Sequence, residues 1–292
     1  MNALNKTIFQ DNQEIARLAV QNRLLKAYEQ PVYDRVMAGR SNLKLLDIGC
    51  NNGSKTVDRF TGENFSRVIG LEYHPNLAAQ ARQAYGNDRF TFYHCDVEES
   101  GFARRLAFLM KQTGVAAFDI IHISYVLLHL KNPGALLRIL RGFLAPGGRL
   151  IVVESNDSVS GVCPDPNHLF RGFLDILYRD PFSGDRDCGA KLPALLAECG
   201  YRRIALESAA IRAGEGETQK KRDIFYAFFS YLPQDVLLLQ RQEPRNDRYA
   251  AWAAYLEEHF EALRNLILDQ NTRVSMGVSI VTCSGDEGGD RE

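Results

Sequence analysis

The stretch LLDIGCNNGSKT, Leu45 to Thr56, supports two kinds of chemistry. Gly49, Ser54, Lys55 and Thr56 fall one residue short of a phosphate-cradling loop, which closes on Gly-Lys-Ser/Thr; here Ser54 stands where the last glycine belongs. Such a loop needs that glycine so that backbone N–H groups can wrap a phosphate. It also needs a magnesium-binding Asp on a second strand, and Asp119 sits at the start of FDIIHIS, not at a strand end. The other chemistry belongs to carboxylates. Asp47, Glu72 and Asp96 fall at the C-terminal ends of three successive predicted strands, in LKLLDIG, RVIGLEY and RFTFYHCDV. In an open α/β sheet that edge is where ligands bind. An acidic edge with no cation beyond Lys55 suits ribose hydroxyls, an exocyclic amine and an ammonium group, not phosphate. A dinucleotide could also offer its ribose to such an acid, but the turn lacks the full Gly-x-Gly-x-x-Gly that admits a pyrophosphate.

The elements that must position these groups follow from hydrophobic pattern. Apolar residues recur near a period of 3.6 from about residue 10 to 38, with Pro31 as a break, which predicts a helix. LKLLDIG is nearly all apolar, as a strand buried on both faces must be. Strand and helix then alternate through RVIGLEY, NLAAQARQAY (with Asn76 as its cap), RFTFYHCDV, GFARRLAFLMKQTG, FDIIHIS, PGALLRILRGFLAPGG and RLIVVES. This alternation implies a doubly wound, mostly parallel α/β sheet with right-handed crossovers. Past Ser155 come a turn-rich stretch with a helix around Asn167 to Tyr178, the helix AKLPALLAECG, and a sixth strand in YRRIALESAAI. About sixty residues of helical character precede a seventh strand, VSMGVSIVTCS. The expected organisation is a helical cap segment over residues 1–40, one α/β domain over 41–284 with helical insertions at about 157–185 and 214–272, and a disordered tail over 285–292.

Bulk properties narrow the partners. A formal net charge of -1 gives no global field for nucleic acid or an anionic membrane. TQKKRD, Thr218 to Asp223, is the one dense basic run, and a solvated helix start explains it as well. The six cysteines form no C-x-x-C and no Cys/His zinc spacing, so no metal is expected and the thiols suit a reducing compartment. The polar N-terminus reads as no signal peptide, and no stretch approaches a bilayer-spanning length. The expected location is the cytoplasm.

In order and spacing, LLDIGCNNG, VIGLEYHP, CDVEES and FDIIHISYVLLHLKNPGALLRILRGFLAPGGRLIVVES resemble the motifs of class I S-adenosylmethionine (SAM)-dependent methyltransferases, in the style of the small-molecule branch related to ubiquinone biosynthesis. The resemblance covers about Leu43 to Ser155. It implies a Rossmann-like seven-stranded sheet with its last strand antiparallel beside the sixth, and SAM as cofactor. Gly49, Cys50, Asn51 and Gly53 would let the backbone approach the methionine part, and Asp47 would receive its ammonium. Asn51 departs from the family's usual glycine, but Asn tolerates a left-handed backbone. Glu72 would accept both ribose hydroxyls, and Tyr73 would pack on the adenine. Asp96 would take the exocyclic amine, and the Val97 N–H a ring nitrogen. Ser124 and Tyr125 would line the channel between SAM and acceptor. His129 is either a general base, with a pKa near neutrality, or a packed histidine.

The expected reaction moves a methyl group to oxygen, nitrogen or carbon of a small organic acceptor. Aromatic-rich helical additions at the N-terminus and before the last strand would build an apolar pocket or complete the core. Asn156 and Asp157 could contact substrate or form a turn. Arg186 and Lys191 could bind an anionic group, although surface placement is the expectation. Methylation of RNA or protein, a non-catalytic SAM-binding module and, more distantly, a nicotinamide oxidoreductase are the competing readings.

Overall fold

The computed structural model describes residues 12–285. Of the tail expected over 285–292, all but Gly285 lies outside the described residues, as do residues 1–11 of the N-terminal segment. The chain opens with a long helix α1 (Asn12–Met37) and then alternates: β1 (Leu43–Ile48), α2 (Ser54–Arg59), β2 (Phe65–Glu72), α3 (Pro75–Tyr85), β3 (Phe90–His94), α4 (Phe102–Thr113), β4 (Phe118–Ser124), α5 (Pro133–Arg141) and β5 (Leu144–Ser155). A short strand β6 (Gly161–Cys163), α6 (Leu169–Leu177), α7 (Cys188–Glu198) and β7 (Arg202–Ala213) follow. Three helices, α8 (Thr218–Phe229), α9 (Leu232–Gln242) and α10 (Asp247–Leu268), lead into the last strand β8 (Arg273–Ser284).

Strands β3, β2, β1, β4 and β5 lie side by side in that order and run parallel. β8 runs antiparallel between β5 and β7. The fold is thus the expected Rossmann-like α/β sheet, with one strand more than the seven expected. The addition is β6, three residues that pair with Arg273–Ser275 at the start of β8. Its Gly-Val-Cys sequence is too short for any periodicity to register.

Side-chain alternation sorts the strands' apolar residues onto two faces. Leu45, Val68, Ile120 and Ile151 pack with Tyr33, Phe60, Phe173 and Phe229. Their neighbours Leu46, Ile69, Ile121 and Val152 pack with Leu106, Leu137 and Leu192 on the other face. Helices cover both sides, so the polar residues of the central strands gather at the strand ends or, like Asp47 and His122, pair with one another.

Two expectations about helix ends are corrected. Pro31 lies inside α1 and does not break it. Proline forfeits one backbone bond, but the helix is held on either side of it by buried side chains, Glu29 on α2 residues and Tyr33 on β4. The cap of α3 is His74, with Pro75 in the first turn, and not Asn76; proline's fixed φ suits that position.

Helices α8 to α10 settle the choice between pocket and core in favour of both. Phe225 and Phe260 (5.3 Å between ring centroids), Phe173 and Tyr255 (5.3 Å), and Tyr249 and Trp252 (5.5 Å) pack on one another. Only the face carrying Ala227, Phe228, Tyr231 and Asp235 borders the cavity over the strand ends.

Candidate active site

The loop from β1 to α2 turns in a way its sequence dictates. Gly49, Asn51 and Gly53 have φ of 73°, 50° and 80°, the left-handed region. A side chain at Gly49 would run into Val126, so the glycine both permits the turn and keeps β4's end close. Gly53 does not border the cavity. A Cβ there would come within 3.0–3.1 Å of Ala81 and Phe92, so this glycine lets α2 pack on α3 and β3.

The same loop does not form a phosphate cradle. The Gly49 and Cys50 N–H groups donate to the Leu71 carbonyl (2.8 and 3.1 Å), that of Asn51 to Glu72 (2.9 Å), and that of Gly53 to the Cys50 carbonyl (2.9 Å). Lys55 Nζ donates to Glu29 Oε1 (2.6 Å) and Ser124 Oγ (2.7 Å). The amides and the cation that a phosphate would need are already engaged.

The three acids reach one cavity, as their strand positions require. Asp47 is buried, and both its oxygens are engaged: Oδ2 accepts from Thr56 and Oδ1 pairs with His122 Nδ1 (2.7 Å). A carboxylate only accepts, so His122 donates through Nδ1 and can accept from the Tyr33 hydroxyl at Nε2 (2.8 Å). This chain ties α1, β4, β1 and α2 together beneath the loop. Glu72 Oε2 accepts from the Asn51 N–H and Oε1 from the His74 N–H (2.8 Å). Burial pushes the Glu72 carboxyl above its ordinary range, and these backbone donors pull the other way. Asp96 Oδ1 accepts from the Glu98 N–H (2.9 Å), so it also holds the turn after β3. Cys50, Tyr73 and Val97 border the same cavity, and Tyr73 lies edge-on to His74 (5.1 Å).

Helix α1 closes the cavity from above. Its Glu29 is fully buried between Lys55 and Arg59 (Nε to Oε2, 3.1 Å). Burial alone would raise the Glu29 carboxyl, but the two cations bring it below its ordinary value. Sequence reading missed Glu29, Tyr33, Arg59 and His122. A lone acid on an apolar helix stripe was the available signal for Glu29; nothing local marks its partners 26 and 30 residues away.

Beyond β4 the chain turns sharply. Tyr125 takes φ of 54°, unusual for a bulky residue, and its N–H donates to the Val153 carbonyl (2.8 Å). A single helical turn, Leu127–His129, follows. Glu154, buried at the end of β5, fixes this turn: Oε1 accepts from the Val126 (3.0 Å) and Leu127 (2.7 Å) N–H groups. Its Oε2 has no hydrogen-bond partner among the described residues, and burial pushes its carboxyl up to about 8. Ser124, Tyr125 and His129 all border the cavity. The expected near-neutral pKa of His129 is corrected: burial, with Arg186 and Arg17 nearby, pushes it down to about 4.

Surface placement of Arg186 is corrected as well. Its side chain is 7% exposed, borders the cavity, and donates from Nε to Asp157 Oδ2 (2.7 Å). Lys191 does lie at the surface, paired with Asp185. Asn156 donates to Ser279 Oγ (3.1 Å), and neither it nor Asp157 borders the cavity.

Residues 18–203 match the profile of a family described as a methyltransferase domain. The chain belongs to that family. With the strand order above, it is a member of the class I SAM-dependent methyltransferase superfamily. The YcgJ protein of Bacillus subtilis has a similar fold, with a TM-score of 0.52 at 15% identity, covering 88% of this chain and 97% of that one. A phosphoethanolamine N-methyltransferase of Haemonchus contortus, solved with phosphomonomethylethanolamine and S-adenosylhomocysteine, matches with a TM-score of 0.51 at 12% identity, over 94% of this methyltransferase and 59% of that chain. A tRNA U34 carboxymethyltransferase of Saccharophagus degradans is 31% identical over 123 residues, 41% of this chain; the match spans only 35% of that relative's length. Among the described residues of the methyltransferase no helix is long and apolar enough to cross a membrane.

Proposed function

We propose that this methyltransferase transfers the methyl group of SAM to an oxygen, nitrogen or carbon of a small organic acceptor. One observation carries the reading: a single cavity runs from the carboxylate rim at Asp47, Glu72 and Asp96 to a compartment roofed by α1, α8 and α9. A roofed compartment favours a molecule that can be enclosed over one that must lie across an open surface.

The donor set fits SAM. Glu72 accepts the Asn51 N–H at Oε2 and the His74 N–H at Oε1, with the Tyr73 N–H also turned to the carboxylate, and its remaining acceptor capacity suits ribose hydroxyls. Asp96 and the Val97 N–H suit the adenine edge, and Tyr73 its face. Gly49, Cys50 and Asn51 bring backbone close to the amino-acid tail, while Asp47, with both oxygens engaged, offers the ammonium only a second lone pair or a bridging water. Bound SAM supplies an electrophilic methyl on a sulfonium whose sulfur keeps the electron pair when the carbon–sulfur bond breaks. Ser124, Tyr125 and His129 line the route along which the nucleophile approaches. Alignment and exclusion of water do most of the work, on the order of 7–11 kcal/mol in favourable cases. With its pKa near 4, His129 stands neutral and accepts a hydrogen bond from the acceptor, but is a weak base in the free enzyme.

In this reading the described part of the 1–40 segment, with residues about 157–185 and 214–272, caps the domain that spans 41–284. The likeness of the motifs to the ubiquinone-biosynthesis branch makes phenolic acceptors the first to try. All six thiols are free, which suits a reducing cytoplasm. The tRNA-modifying relative supports a second reading, an RNA acceptor. Against it, Lys221 of the one basic run is buried and donates to the Asp269 carbonyl (2.6 Å), and Lys220 pairs with Glu217. Incubation with methyl-labelled SAM and either a metabolite extract or total RNA separates the two. Label in a small molecule supports the proposal; label in RNA alone refutes it. Binding without transfer to either would favour a non-catalytic module.

A further inference from the structure

The roofed compartment contains three cationic side chains from different elements, and they are not equivalent. Arg17 of α1 is spent: its guanidinium donates to both Glu14 oxygens (2.6 Å each), to Gln21 Oε1 (2.9 Å) and to the Ala227 carbonyl. Lys55 is spent on Glu29 and Ser124. Arg186 donates one bond, from Nε to Asp157 Oδ2, and its two outer nitrogens have no hydrogen-bond partner among the described residues. Guanidinium carries five N–H donors, so four remain on a side chain that is 7% exposed and borders the cavity beside Tyr125, His129 and Tyr231. An arginine kept only to hold Asp157 would bury these donors against carbonyls or carboxylates, since buried donors left without partners are costly. Asp157 fixes the Nε edge and leaves the outer fork to the cavity.

We propose that the methyl acceptor carries an oxyanion, a carboxylate or phosphate group, that docks on the outer nitrogens of Arg186 and so places the nucleophile beside Tyr125 and His129. This rests on the small-acceptor reading above. The planar fork matches two oxygens of such a group at once, which fixes orientation as well as position. Docking also changes His129. Its ring is held down by burial and then by Arg186 and Arg17. An anion on Arg186 offsets the second of these causes, so the acceptor itself makes the ring a better base at the moment a proton must leave.

The test uses the full-length protein saturated with S-adenosylhomocysteine. The His129 imidazole is followed by NMR, assigned with His129→Gln, while acetate, methyl phosphate or the neutral acetamide is added at matched ionic strength. Acetate or methyl phosphate is expected to raise the His129 pKa from about 4 by about one unit, and acetamide to leave it unchanged. Arg186→Gln is expected to raise that pKa with no anion present and to abolish the response. Arg186→Lys keeps the charge without the fork; it should retain the low pKa and bind acetate about tenfold more weakly. Anions that act no differently from acetamide in the wild type, or a response that survives in Arg186→Gln, would overturn the inference. Calorimetry of S-adenosylhomocysteine on the same samples separates the layers. Intact binding with no anion response sinks the inference alone; absence of binding to the wild type sinks the methyltransferase reading beneath it.

Discussion

Glu29→Gln tests whether α1 is an integral wall of the site or a passenger. The side chain is fully buried with Lys55 Nζ at 2.6 Å and Arg59 Nε at 3.1 Å. Removing one partner from a buried pair costs roughly 3–5 kcal/mol, because the remaining charge stays desolvated. Here the remaining cations have some relief. Arg59 still donates to Asp58 and the Asn22 carbonyl, and Lys55, 13% exposed, still donates to Ser124. The low end of that range, about 3 kcal/mol, is therefore expected. At about 2–4 °C per kcal/mol, for chains somewhat shorter than this one, the melting temperature should fall by about 6–12 °C. The pH dependence has a definite sign. Lys55 and Arg59 outweigh burial and leave the Glu29 carboxyl below its ordinary value, so its stabilisation is present above the unfolded value, about 4.3, and is lost as pH falls through the folded value. Denaturant unfolding at pH 7 should show the full gap between wild type and variant, and acidification below about pH 4 should narrow it. A gap under about 1 kcal/mol at pH 7, the worth of an exposed pair, or one that pH does not change, would refute the clamp.

Other outcomes follow from the same geometry. His129→Ala should lower turnover far more than SAM affinity, and the wild-type rate at low acceptor concentration should show no His129 ionisation between about pH 6 and 9, since the free enzyme's ring titrates near 4; equal activity in the variant returns His129 to a packing role. Glu154→Gln keeps an oxygen for the Val126 and Leu127 N–H groups but cannot ionise. The wild-type carboxyl, raised to about 8, contributes stability below its unfolded value that is lost as pH rises through 8. Between pH 5 and 8 the variant should therefore gain about 2–4 kcal/mol relative to wild type in denaturant unfolding, and parallel curves would contradict this. Gly49→Ala places a methyl group against Val126 at a backbone φ of 73°; both melting temperature and S-adenosylhomocysteine affinity should fall, and retention of both would show that the loop is not tightly constrained.

The alternation of strands and helices and the cavity's acidic rim were legible because each depends on local pattern, whereas the spatial order of the strands was not. Unbroken apolar runs announce strands covered on both faces, and acids at their ends fall on one edge by topology alone. Asn51 was readable for the same reason, its left-handed backbone being a local property. What pattern could not reveal was pairing across distance. Tyr33, His122 and Asp47 come from three elements and meet only because β1 and β4 are neighbours in the sheet, with Asp47 directly opposite His122. Arg186 sits in a turn-rich stretch where an exposed position is the default; Asp157, two residues past the end of β5, draws it inward. His129 has an ordinary local sequence, and its depressed basicity comes from burial and two arginines 57 and 112 positions away along the chain. The aromatic residues of α8 to α10 signal burial without saying which of them meet the cavity.

The central claim is that this strand edge holds a sugar and a cationic amino-acid tail instead of phosphates. Titration calorimetry with S-adenosylhomocysteine and with ATP, on the wild type and on Glu72→Ala, tests it most directly. S-adenosylhomocysteine is expected to bind, loss of the Glu72 carboxylate to weaken it by about tenfold or more, as when charged hydrogen bonds to two hydroxyls are removed, and ATP to give no binding heat. Unchanged affinity in Glu72→Ala, or ATP bound in preference, would contradict it.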